Sequence, residues 1–159
     1  MATPSLVDLD TLDLTQIVHG KDTIRRYCKQ RGRLEMLDGI VHEDHAANLI
    51  IGYHDIREDA WWAPDHIPGR PIFPGVLHAE GAAQLCSFDF LRRNPSFGDK
   101  FIGFAGLNDT RFRGLVLPGS RLFWAGRMHR MRSGMFTYKT QGFVGRDLVF
   151  ETEVMGVVL

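Results

Sequence analysis

From Pro74 and Gly75 to about Arg92 through Pro95, the chain reads as one helix that is apolar on nearly every side, and this constrains everything around it. Val76, Ala79, Ala83, Cys86 and Phe90 recur at spacings of three and four and give one apolar stripe. Leu77, Gly81, Ala82 and Leu85 make the remaining sides almost as apolar. A helix of that kind cannot lie on a surface with half of it in water, so it has to be surrounded. Pro74 stands at its favoured place in the first turn, where a missing N–H costs nothing.

The surroundings read as strands. Leu34, Met36 and Ile40, then Asn48 to Tyr53, form the front part, joined by the polar HEDHAA turn, with a short helix before them from Thr23 to about Gln30. After the long helix come Phe101 to Asp109, Leu122 to Met131, Met135 to Val144 and Leu148 to Val158. The turn signals Arg132-Ser133-Gly134 and Gly145-Arg146-Asp147 separate the last three, as a meander requires. Two strands, one long helix and four strands predict an α+β layout, one antiparallel sheet curled around one helix, rather than alternating βαβ units. A helix apolar on so many sides also predicts that a second subunit covers part of it, and a curled sheet leaves edges with which a partner can pair.

Composition sets the class of chemistry. At 159 residues and 44% apolar content the chain is long enough for one core and too short for two. We read residues 1–20, with Asp8, Asp10 and Asp13 among scattered leucines, as an N-terminal arm without an assigned function, and residues 21–159 as a single domain. The 19 basic and 19 acidic residues cancel, which argues against a nucleic-acid or membrane-surface binder. No apolar run is long enough to span a membrane, and the start lacks a signal-peptide pattern, so a cytoplasmic protein is expected. Cys28 and Cys86 are expected as buried thiols rather than a disulfide or metal pair.

The stretch WWAPDHIPGRPIFPGVLHAEGAAQL, Trp61 to Leu85, carries the chemistry. Pro64, Pro68, Pro71 and Pro74 each fix a backbone dihedral, so His66 sits on a loop with few accessible shapes. Glu80 lies about a turn and a half into the helix that follows, and Gln84 one turn further on the same face, where it can orient the carboxyl group through a hydrogen bond. A histidine, which titrates near neutral pH, and a carboxyl group on an apolar helix suit base and acid roles.

HIPGRPIFPGVLHAEGAAQ resembles the active-site segment of the β-hydroxyacyl-acyl-carrier-protein dehydratases, the hotdog-fold enzymes of type II fatty-acid synthesis. TRFRGLVLPGSRL downstream and LDGIV upstream extend the likeness from about Leu34 to the C-terminus. The resemblance implies a hotdog fold and a cofactor-free, metal-free elimination of water from a (3R)-hydroxyacyl thioester, giving a trans-2-enoyl thioester. It implies that His66 takes the C2 proton, that Glu80 protonates the departing hydroxyl, and that the backbone N–H of Gly75 stabilises the thioester oxygen. It further implies an acyl-carrier-protein or CoA thioester substrate, and a homodimer in which the His and Glu of one site come from different subunits, with a trimer of dimers as the open step beyond. Glu rather than Asp at position 80 favours plain dehydration over dehydration with isomerisation.

Other features carry less. His42 and His45 flank Glu43 and Asp44 without the spacing of a zinc motif and are expected as solvated turn residues. His78 points away from Glu80. Trp61 and Trp62 read as packing residues, with a pocket-wall role open. Arg92, Arg93, Arg111, Arg113, Arg127, Arg130 and Arg132 either dock an acidic carrier protein or solvate the outer sheet. Where the family usually carries a Pro-His-Arg-x-Pro-Phe-like stretch, this chain reads Lys29 to Leu34 and keeps only the arginine, and Asp65 replaces the usual glycine before the histidine. The competing readings are a non-catalytic acyl-binding or scaffold hotdog subunit, which should have lost His66 or Glu80, and a hotdog acyl thioesterase, which lacks the His-x-Pro-Gly segment.

Overall fold

A computed structural model describes residues 4–159; residues 1–3 of the expected arm lie outside the described residues. Among the described residues are two α-helices and six strands: α1 (Lys21–Tyr27), β1 (Gly39–Asp44), β2 (Leu49–Asp55), α2 (Gly75–Arg93), β3 (Ile102–Phe112), β4 (Arg121–Arg132), β5 (Met135–Val144) and β6 (Asp147–Val158). All six strands join one antiparallel sheet in the order β1-β2-β4-β5-β6-β3. The α2 helix packs against β2, β3, β4, β5 and β6, so the sheet wraps it, the hotdog arrangement.

Local sequence explains the turns. Only Ser133 and Gly134 separate β4 from β5, both with positive φ (51° and 78°), the conformation that matches the right-handed twist of the flanking strands. Leu34 and Met36 lie outside any strand: Leu34 ends a short 3-10 turn, Gly32–Leu34, and β1 begins only at Gly39. They read as strand because they are apolar and alternate, but their backbone is engaged by a side chain of α2, described below.

The stripe read in the sequence is buried in its second half, where Cys86 and Phe90 are fully enclosed and Phe90 stacks on Phe136 of β5, but not in its first. Leu77, Gly81, Ala82, Leu85 and Phe88 are buried against the sheet, whereas Val76 is 76% exposed and Ala79 and Ala83 are half-buried. Both stripes satisfy helical spacing, and in the first half of the helix the sheet covers the one that brings Gly81 to its surface, leaving Val76 exposed and Ala79 and Ala83 partly so.

Residues 4–20 are more closely packed than their composition implied. The Leu6 N–H donates to Gln141 Oε1 (2.7 Å), Gln141 Nε2 donates to the Pro4 carbonyl (3.1 Å), and Arg127 donates to the Leu6 carbonyl (2.7 Å). Val7, Leu9, Leu12 and Leu14 then cover a second apolar cluster, Val41, Ile51, Tyr53, Ala125 and Phe143, on the face of the sheet away from α2. His19 closes onto Ile40 at the β1 edge through a short antiparallel bridge.

Candidate active site

The His66 loop is held from both ends. The His66 N–H donates to the Trp62 carbonyl (2.8 Å), and the Phe73 N–H donates to the Val116 carbonyl (2.8 Å). Trp62 is buried against Phe73 while Trp61 is 44% exposed, and both indoles line an open cleft. The ring of His66 is exposed, and its Nδ1 lies 2.9 Å from the Ile72 carbonyl. A carbonyl can only accept, so Nδ1 carries the proton and Nε2 is left with a free lone pair.

Glu80 is half-buried on the side of α2 turned away from the sheet. Gln84, 2% exposed, organises it: Gln84 Oε1 accepts the Met36 N–H (3.0 Å), and Nε2 donates to the Leu34 carbonyl (2.6 Å) and to Glu80 Oε1 (2.7 Å). The Met36 N–H fixes which end of the amide is oxygen. Both amide protons are therefore spent, Glu80 Oε1 acts as an acceptor, and the other oxygen, Oε2, is the one that can hold a transferable proton. Reading side chains alone finds Gln84 but not Leu34 and Met36, which take part through backbone atoms that no residue type reveals.

Gly75 is the first residue of α2, where N–H groups have no partner within the helix and the helix dipole favours negative charge. A side chain there would meet the Phe112 ring at 3.1 Å, so glycine lets this aromatic residue close over the helix start. His66 and Glu80 share no hydrogen bond among the described residues. Around Gly75 the surface is apolar and uncovered: Val76 (76% exposed), Phe112 (58%), Leu115 (60%) and Leu117 (50%).

His78 faces away from Glu80, as its position on the helix implied. It is 3% exposed, stacks on Phe150 (4.9 Å between centroids), meets Phe73 edge-on, and has no partner at Nδ1. Burial alone pushes its pKa down to about 4, so it is a neutral ring in an aromatic nest. Cys28 and Cys86 are free and buried; burial pushes the Cys28 thiol up to about 12 and the Cys86 thiol higher than usual, which leaves neither as a nucleophile.

Glu43, His45 and Asp89 come close enough to suggest a metal site, but Arg92 binds the Glu43 carboxylate with two hydrogen bonds (2.7 and 3.1 Å) and Arg93 pairs with Asp89 at 2.7 Å. Two guanidinium ions already neutralise the two carboxylates. The same contacts sort the arginines. Arg92 and Arg93 are committed to these carboxylates, Arg127 to the Ala47 and Leu6 carbonyls, and Arg113 to Glu151, while Arg111, Arg130 and Arg132 stay exposed on β3 and β4. The arginine that the departed stretch keeps at the family position, Arg31, donates to the Cys28, Gln30 and Arg25 carbonyls and so closes the end of α1. No helix among the described residues is long and apolar enough to cross a membrane.

A family model described as a FabA-like domain matches residues 29–153. The 3-hydroxyacyl-(acyl-carrier-protein) dehydratase FabZ of Campylobacter jejuni is 32% identical over 114 residues, 70% of this chain and 78% of that protein. The enzyme of the same name from Saccharophagus degradans is 29% identical over 135 residues, covering 83% of this chain and 92% of its own. In three dimensions, a chain of the dehydratase heterocomplex ApeI:P from Xenorhabdus doucetiae superposes with a TM-score of 0.71 at 13% identity, over 86% of this chain and 90% of that one, a likeness of fold.

Proposed function

This chain belongs to the FabA-like domain family, and from that premise we propose that it is a hydro-lyase that dehydrates (3R)-hydroxyacyl thioesters to trans-2-enoyl thioesters in acyl-chain biosynthesis, with His66 as base and Glu80 as acid. One observation carries the assignment of roles: the hydrogen bonds of both side chains leave a single reactive atom on each, a lone pair at His66 Nε2 and a proton position at Glu80 Oε2. His66 Nε2 removes the C2 proton, and the C–H electrons form the C2–C3 double bond. The C3–O bond breaks as Glu80 Oε2 gives its proton to the hydroxyl, which leaves as water. The thioester oxygen gains charge during this step and is met by the N–H of Gly75 at the helix start, while Gln84 holds the carboxyl group in place. Return of the proton from His66 to Glu80 through solvent resets the site.

The substrate is an acyl thioester, on carrier protein or CoA, and Arg111, Arg130 and Arg132, exposed on β3 and β4, are positioned to meet an acidic carrier. Assembly of the site needs a second copy. Supporting this are the absence of any bond between His66 and Glu80 among the described residues, the uncovered apolar surface around Gly75, and the outer edge of β3, which, on the side away from β6, pairs with no strand among the described residues. Two buried free thiols suit a reducing cytoplasm.

The test is absorbance of enoyl thioester formed from short- and medium-chain (3R)-hydroxyacyl substrates on carrier protein and on CoA. Wild type turns over; His66→Ala and Glu80→Ala each abolish turnover while keeping the melting profile and dimer. A folded dimer inactive on every substrate would replace this reading with that of an acyl-binding or scaffold subunit, and release of free acid in place of enoyl product would replace it with a thioesterase.

A further inference from the structure

Trp124, in the middle of β4, is the largest of the fully buried side chains. Its register partners are Gly52 on β2 and Gly142 on β5, so neither neighbouring strand places a side chain beside the indole. Its outer ring edge lies against α2 at Gly81, where an added methyl group would overlap the indole carbons. Gly81 and Gly142 thus border a slot for one ring, while the space beside Gly52 is taken by Leu37, Ile40 and Leu85. The ring cannot swing aside: His54 stacks with it at 6.4 Å between centroids, and His78 meets it edge-on at the same distance.

The slot is expensive. Each glycine weakens its strand or helix by roughly 0.5–1 kcal/mol relative to alanine, and Trp124 Nε1 is buried with no acceptor. A smaller residue on β4 with alanine on α2 would fill the space without these costs. What the indole supplies is a rigid spacer that fixes the height of α2 above the sheet at the residue immediately after Glu80. Within one helical turn a displacement of Gly81 carries Glu80 with it. On the reading above, the His66 that meets this Glu80 belongs to a second copy and does not ride on this helix.

Resting on the dehydratase reading above, we propose that the Gly81–Trp124 contact is a positioning device that sets the Glu80 carboxyl group at its working distance from substrate. Neither residue touches the reacting atoms. Gly81→Ala should lift α2 from the indole and, because misplacement by about 1 Å can cost on the order of 10²-fold, lower kcat by about that factor with KM nearly unchanged. The double variant Gly81→Ala with Trp124→Phe, in which the new methyl group takes the space vacated by the outer ring, should recover most of the lost kcat. A contact needed only for stability would show its compensation in the melting temperature alone, with the kcat of folded Gly81→Ala unchanged.

The experiment measures kcat, KM and melting temperature for wild type, Glu80→Ala, the two single variants and the double variant. Wild-type turnover that Glu80→Ala abolishes secures the reading on which the proposal rests; a wild type without turnover removes that reading and the proposal with it. Given an active wild type, recovery of kcat in the double variant supports positioning. A folded Gly81→Ala with wild-type kcat, or a folded double variant as slow as Gly81→Ala, overturns it. Should Gly81→Ala fail to fold, Trp124→Phe alone decides: loss of the spacer should lower kcat and move the limb of its pH profile that belongs to the acid, and an unchanged kcat and limb overturn the proposal.

Discussion

Each side chain around the proposed site is specified by what its partners can donate or accept. Gln84 is the clearest case, because the Met36 N–H orients an amide that then serves both Glu80 and the Leu34 carbonyl. Replacing it with leucine leaves the Leu34 carbonyl and Met36 N–H without their partner and frees the Glu80 carboxyl group; kcat should fall by roughly 10- to 100-fold in the enoyl absorbance assay, more than the melting temperature changes would explain. His78 makes the opposite prediction, a stability effect without chemistry. Its ring stays neutral down to about pH 4 in the folded state, against an ordinary value of 6.5. The unfolded chain therefore takes up the proton first, and stability is lost as pH falls from about 6.5 to 4. Melting curves of His78→Leu over this range should lose that part of the slope.

The elements owe their positions to which face they bury. The arm is held by backbone hydrogen bonds to Gln141 and Arg127 and by four apolar side chains over the second cluster, remote from the His66 loop and Glu80. Removing residues 1–14 should expose that cluster to an apolar dye and lower the melting temperature by about 5–10 °C, the range expected for a loss of a few kcal/mol in a chain of this size. Turnover measured well below that temperature should persist, since the arm supplies no group to the proposed site. If turnover vanished in the folded truncation, the arm would have a part in catalysis that its contacts do not indicate.

At the scale of the molecule, two features connect the proposed site to the rest of the fold. Glu43 on β1 gathers Arg92 from the end of α2, His19 from the arm and His45 from the turn after β1. Burial would raise its carboxyl pKa, but the hydrogen bonds from Arg92, His19 and His45 outweigh this and hold it at about 2, below its ordinary 4.5. Stability from this junction is therefore present above about pH 4.5 and is lost as pH falls toward 2, because the unfolded chain binds the proton first. Glu43→Gln should melt lower at pH 7 and show a flatter decline across that window. The second feature is the uncovered apolar surface at the start of α2 beside an open β3 edge. Light scattering should give a dimer for wild type, and Phe112→Asp should weaken it and reduce turnover together.

Much of this was legible in one dimension. The all-round apolar helix required an enclosing sheet, and Ser133-Gly134 marked the β4–β5 hairpin, because local periodicity and backbone preference are written in residue type. The side of α2 that meets the sheet was legible at Cys86 and Phe90, both fully buried, but not in the first half of the helix, where Val76-Ala79-Ala83 and Leu77-Gly81-Leu85 have equal claim by spacing and the sheet, with Trp124 of β4 against Gly81, covers the second. Nor was the use of Leu34 and Met36 through their backbone atoms, the commitment of Arg92, Arg93 and Arg127 to internal partners, or the arm's closure over the sheet. Those depend on which distant groups meet once the chain has folded, and a hydrogen bond between residues 48 or 121 positions apart leaves no period in the sequence.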